Sequence, residues 1–163
     1  MRTDDISQTL TTLFSELVDG AGRDGAFVLN SGDAGLLRSL AKLSAEDASR
    51  YVEGGATIAA HAQHVRYGLS LMNRWAAEGG DPFSDAKWDE AWKTSRVDNG
   101  EWATIRQGLR EEALRWLRAL GSPRQATPIE LTGMAGSIVH LAYHLGAIRQ
   151  IAVAARGPRE GTF

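Results

Sequence analysis

The sequence predicts an all-α protein: a four-helix bundle with short extra helices in its connections, spanning 163 residues as a single domain. Three observations predict it. Apolar residues recur at intervals of three and four along four long segments. Helix-starting side chains and Gly/Pro stops bracket those segments. No segment alternates β-branched and polar residues as a half-buried strand would, and no internal repeat is visible.

The first long helix is predicted from about Thr3 to Val18, with Ile6, Leu10, Leu13, Phe14, Leu17 and Val18 on one face. Gly20, Gly22 and Gly25 break that pattern. A loop then leads to a short helix from Gly35 to Lys42, and Ser44 with Asp47 is spaced to cap a further turn. Leu36, Leu37 and Leu40 are expected to lid one end of the bundle. The second long helix is predicted from about Ala56 to Ala77. Its inward stripe is Ile58, His61, Val65, Gly68, Leu69, Met72 and Trp75, with Gln63, Arg66, Ser70, Asn73 and Arg74 facing water.

Gly79-Gly80-Asp81-Pro82 ends that helix, and a polar stretch follows in which Trp88 and Trp92 can share a face of a short helix. Asp98 and Glu101 form a capping-box pair for the third long helix, whose core face is Trp102, Ile105, Leu109, Ala113, Trp116, Leu117 and Leu120. Gly121-Ser122-Pro123 stops it. The fourth starts with Thr127 as N-cap, Pro128 at the first helical position and Glu130 completing the box, and is predicted to run to about Arg156 before Gly157-Pro158.

A 43% apolar and 23% charged composition is that of a globular chain, not a disordered one. The absence of cysteine removes disulfides, thiolate zinc sites and a cysteine nucleophile, and fits a reducing compartment. A formal charge of −2 and a pI near 6.1 provide no basic field for nucleic acid or anionic lipid. The opening MRTDDISQTL carries two acids and no apolar run, so no signal peptide is expected and a cytoplasmic location is. Leu131 to Ile148 has no formal charge, but two histidines, a tyrosine, a serine and three glycines make it a core helix rather than a membrane span.

All four histidines fall on two of the predicted helices: His61 and His64 on the second, His140 and His144 on the fourth. His140 and His144 are four residues apart, the spacing by which one helix offers two imidazoles to one ion. A third histidine from a facing helix would complete a three-nitrogen site with positions open to water or substrate. Gly133, Gly136 and Ser137 precede them on the same face and leave space, while Ala147, Ile148 and Ile151 follow and close the floor. The plainer reading is a set of core histidines bonded to carbonyls, to water or to each other. Periodicity centres His61, rather than His64, on the second helix's stripe.

The run IVHLAYHLGAIRQI, with TIAAHAQHVRYGLSL upstream, resembles the DinB/YfiT-like superfamily (not the DNA polymerase of similar name). The matching positions are His140, His144, Gly146, Ile148, Arg149 and Gln150, together with Thr57-Ile58 and His64-Val65. The resemblance extends to SGDAGLLRSL and the Trp-rich middle, and so covers most of the chain. It implies a four-helix bundle, often dimeric, whose divalent metal is held by His64, His140 and His144. His61 is then a residue behind the ligands, a fourth ligand or a plain core histidine. The resemblance also implies metal-dependent transferases that use low-molecular-weight thiols.

Three neutral imidazoles suit zinc, nickel, iron or manganese, and ligand type alone does not choose among them; zinc or nickel is the leading expectation, and such an ion lowers the pKa of a bound thiol or water. A thiol S-transferase acting on a small-molecule electrophile is the leading expectation. A metal-dependent hydrolase and a non-catalytic metal- or ligand-binding dimer are the alternatives. No acid/base residue declares itself: Arg66 and Arg149 are expected at the surface or a subunit contact, and Tyr143 in the core, a pocket or an interface. Trp88 and Trp92 can cover the site. The fourth helix is apolar nearly all round, which requires that it be surrounded by the bundle or shared with a second subunit, so a homodimer is expected.

Overall fold

The computed structural model describes residues 3–22, 25–52, 54–152 and 155. Seven α-helices run through them: α1 (Thr3–Asp19), α2 (Leu36–Ala41), α3 (Ala45–Ala48), α4 (Ile58–Glu78), α5 (Trp88–Ala91), α6 (Asn99–Gly121) and α7 (Pro128–Ile151). The described residues contain no strand, only an isolated antiparallel bridge between Gly20 and Ala34. The protein is all-α, as expected.

Local chemistry explains where these helices begin. The side chains of Thr57, Asp98 and Thr127 accept from Ala60, Glu101 and Glu130 N–H, occupying donors that the first turn leaves without partners. The predicted boxes Ser44/Asp47, Asp98/Glu101 and Thr127/Glu130 all form, and Pro128 sits at the first helical position of α7. Gly79, with φ of 74°, ends α4 in a left-handed conformation that a Cβ would strain. The stop expected at Gly157-Pro158 lies outside the described residues.

The long helix α1 packs on α6 and α7, and α4 packs on the same two. Between them lies one continuous apolar cluster in which Phe14, Leu17, Leu109, Trp116, Leu120, Leu141, Leu145 and Ile148 are fully buried. Burial of each such side chain contributes about 1.5–3 kcal/mol. The Trp116 and Trp102 indole N–H groups are not left unbonded there: they donate to Ser137 Oγ and the Leu43 carbonyl, both at 2.9 Å. Leu36 and Leu40 of α2 are buried against this cluster, as their spacing predicts.

One expectation about helix faces needs correction, and another is narrowed. Asn73 does not face water: it is 4% exposed and donates to the Glu112 carbonyl (2.9 Å) and carboxylate (2.7 Å). The side of α4 that carries Asn73 is covered by α6, so this amide is drawn inward and bonded. Of the two expectations for α7, enclosure by its own bundle does not hold, for it exposes Ile129 (76%), Val139 (68%) and Tyr143 (69%), which leaves the shared-helix alternative.

The connection between α1 and α2 is tied down by two carboxylates. Glu16 of α1 accepts from the backbone N–H groups of Phe27, Val28 and Leu29 at 2.7–2.9 Å. Burial opposes ionisation of Glu16, but those three donors together hold its pKa below the ordinary value. Asp33 pairs with Arg149 of α7 at 3.0 Å, and Arg149 also donates to the Ala34 carbonyl at 2.7 Å. Arg149 is therefore turned into the fold and not out to water; it joins the loop to the last turn of α7. Glycine is required where loop meets helix: a Cβ on Gly35 would stand 2.4 Å from Gly20 N and 2.5 Å from the Val18 carbonyl. Gly20 itself has a φ of 114°.

Candidate metal centre

Packing of α4 against α7 brings all four histidines together. His64 Nε2 lies 3.2 Å from His140 Nε2, which lies 2.9 Å from His144 Nε2. The predicted trio His64, His140 and His144 is thus a convergent group that could hold a metal ion. His61 stands behind it, its Nδ1 2.8 Å from His144 Nδ1. His61, His64 and His144 are buried at 8%, 7% and 2% exposure, and His140 is half-buried.

The spacing fits coordination better than hydrogen bonding. An imidazole nitrogen carries one proton or one lone pair, so His140 Nε2 must share that single proton or lone pair between its two nitrogen contacts when no ion is present. Three lone pairs directed at one ion would satisfy all three nitrogens at once. Nitrogens bound to one ion at ~2.0–2.1 Å stand roughly 2.9–3.4 Å apart for octahedral to tetrahedral angles. Both observed separations fall in that interval.

The rings are in the protonation state a ligand needs. Burial first, and the neighbouring imidazoles second, push His64 down to about 4 and His144 down to about 3. Burial also lowers His61 and His140. All four are neutral near neutral pH and carry lone pairs. When His144 Nε2 faces the centre with its lone pair, the proton sits on Nδ1 and donates to His61 Nδ1. His61 then fixes the tautomer and angle of His144. His61 and His64 thus take different positions, His61 against His144 Nδ1 and His64 against His140 Nε2.

His64 has no such partner, its buried Nδ1 making no hydrogen bond. Aromatic packing positions it instead: the Trp92 ring stacks on His64 at 4.2 Å and 23°, and Trp88 approaches at 5.3 Å. Trp92 also lies against His61 and His144. The two tryptophans expected to cover the site do so from α5 and its C-terminal end. Gly68 lies beneath Trp88 and His140, where a Cβ would meet them at ordinary contact distances of 3.8 and 3.9 Å.

No family model, curated protein or solved structure matches the chain. What it can do is read from its own geometry.

Beside His140 opens an apolar cavity of about 330 Å³, lined in part by the predicted Gly133, Gly136 and Ser137. Phe83, which no periodic pattern singles out because it follows the α4 stop, completes one wall with Trp88. Tyr143 contributes nothing to the core, being largely exposed with its ring edge against His144. Arg66 lies away from the imidazoles over Gly108 of α6, its guanidinium 2.6 Å from where a Cβ on that glycine would stand.

Proposed function

We propose that this chain is a divalent-metal-dependent enzyme of the DinB/YfiT-like type, its four long helices forming that family's four-helix bundle. His64, His140 and His144 are the ligands. The observation that carries the reading is the convergence of three neutral imidazoles, two buried and one half-buried, through contacts of 2.9 and 3.2 Å whose spacing matches nitrogens sharing one ion. A bound zinc or nickel ion, or iron or manganese in the same donor set, would bring a coordinated thiol or water to its ionised form near neutral pH. The protein's own contribution is to hold three nitrogens in register. His61 orients His144, and Trp92 backs the face of His64.

Thiol transfer is favoured over hydrolysis. The cavity beside His140 is lined by no carboxylate and no lysine that could protonate a leaving group. Addition of a thiolate to an electrophilic carbon makes less demand for such an acid. The chain contains no cysteine, so the thiol comes from outside as a low-molecular-weight cosubstrate, as in a reducing cytoplasm. The same lack of an acid/base group favours the second reading, a protein that holds a metal or small ligand without turnover.

The test is metal content of untagged protein by plasma mass spectrometry. About one divalent ion per chain is expected for the wild type, and essentially none for His140→Ala/His144→Ala. Wild-type protein that stays metal-free after incubation with zinc, nickel and manganese would remove the enzyme reading. Turnover of thiol and electrophile pairs by the loaded protein then separates transferase from binder.

The exposed apolar face of α7 around Val139 and Tyr143 supports a homodimer, because a charge-free helical face of this kind is ordinarily covered. Light scattering at micromolar concentration is expected to give twice the chain mass. A clean monomer would sink this part of the proposal.

A further inference from the structure

We infer that the groove between α4 and α7 is a binding site for an uncharged, apolar substrate about the size of two fused rings, its reactive end directed at His140. This rests on the reading of the histidines as a metal centre, but the groove itself can be tested without metal.

The cavity beside His140 and a second one of about 380 Å³ share Met72, Phe83 and Gly133, and so adjoin each other along the α4–α7 groove. One end is at His140 and the other at Ile129. Glycine makes the channel: a Cβ on Gly133 would find only Met72 Cε, at 4.0 Å, and one on Gly136 would find nothing within 4 Å. An apolar cavity of roughly 150 Å³ holds benzene, so the 330 Å³ beside His140 takes a molecule about twice as large.

Charge selects the class of ligand. Among the residues lining the groove, formal charges are confined to Asp81 and Glu130, both at the end remote from the histidines. Both are committed locally, Asp81 to Phe83 N–H and Glu130 to the Thr127 cap. Next to His140 the only hydroxyl is that of Ser137, which accepts from Trp116 and donates to the Met134 carbonyl. A carboxylate or phosphate lying along this wall would lose water and gain no donor. The groove therefore takes the electrophile and not a charged thiol cosubstrate, which must approach the histidines from another side.

The test uses naphthalene and its anionic relative 2-naphthoate on metal-free protein, followed by amide shifts of Gly133 and Gly136 in isotope-labelled samples. Naphthalene is expected to bind at least roughly tenfold more tightly than naphthoate. Gly133→Leu, which fills the groove where the two cavities join, is expected to weaken naphthalene at least roughly tenfold by excluding it. That variant should keep the wild-type melting temperature and metal content, while Gln107→Leu on the exposed side of α6 should change nothing. Equal binding of the two probes, or naphthalene binding unaffected by Gly133→Leu, would overturn the inference. Binding that weakens as protein concentration rises would assign the groove to a second copy and overturn it as well. Loss of the metal reading would show separately, as wild-type protein without an ion that still binds naphthalene.

Discussion

Metal-free protein is expected to lose on the order of 3–5 kcal/mol of stability as pH falls from about 7 to about 4, through its histidines alone. The direction follows from the proton balance. In the fold, His64 titrates at about 4 and His144 at about 3, whereas each titrates near 6.5 when unfolded. Between those values the unfolded chain binds protons that the folded chain refuses. The stabilisation is complete above pH 6.5 and drains away as pH falls toward the folded values. The expected size lies below the simple sum of the two shifts, because part of each arises from the other imidazoles and would be counted twice.

Glu16 acts in a separate window. Its folded pKa is lowered, so its contribution is present above the ordinary value of 4.5 and is lost only below it. Urea denaturation at several pH values checks this, with His64→Gln/His144→Gln as the control that should flatten the curve between about pH 4 and pH 6.5. A wild-type curve already flat in that window would mean that the imidazoles are not desolvated as the structure has them. Protons and an ion compete for the same lone pairs, so loaded protein is expected to release its metal over this range.

Much of the fold is legible in the sequence because its signals are local. Capping boxes at Ser44, Asp98 and Thr127, the proline at position 128 and the glycine stop after α4 each act within a few residues. The stripes of α1, α4 and α6 identify core residues such as Phe14, Leu69 and Trp116 by periodicity alone. What periodicity cannot say is how many neighbours a helix has. Asn73 occupies a polar position by angle, yet α6 approaches from that side and its Glu112 takes the amide's hydrogen bonds. On α7 the reverse holds: a helix apolar on all faces leaves Val139 and Tyr143 exposed.

The histidine group was legible for the same reason in part. The four-residue spacing of His140 and His144 is local, whereas His64 is singled out only by the resemblance, periodicity favouring His61. The division of labour between His61 and His64 is not local. It depends on how α4 is rotated against α7, which turns His64 Nε2 toward His140 and His61 Nδ1 toward His144. Stacking of Trp92 on His64 depends likewise on where the connection after α4 returns.

Arg149→Met is expected to cost about 3–5 kcal/mol, a large effect for a residue that touches no histidine. Asp33 is 1% exposed and Arg149 16%, so the pair is shielded from water. Removing the guanidinium leaves a buried carboxylate with the Asn30 N–H at 3.3 Å, and takes from the Ala34 carbonyl the 2.7 Å donor it receives. Removing both charges should be less damaging than removing one, because most of the penalty is the stranded carboxylate and not the lost attraction. The double variant Asp33→Ala/Arg149→Met is therefore expected to be more stable than Arg149→Met alone, as a double-mutant cycle by urea denaturation would register. A single-variant cost under about 1 kcal/mol would show that water reaches the pair. The consequence extends to the histidines, because this contact ties the last turn of α7 to the loop that Glu16 anchors on α1. His144 lies little more than one turn earlier on the same helix. Loosening that tie is expected to weaken metal retention modestly while leaving every ligand in the chain, a pattern that ligand substitutions cannot produce.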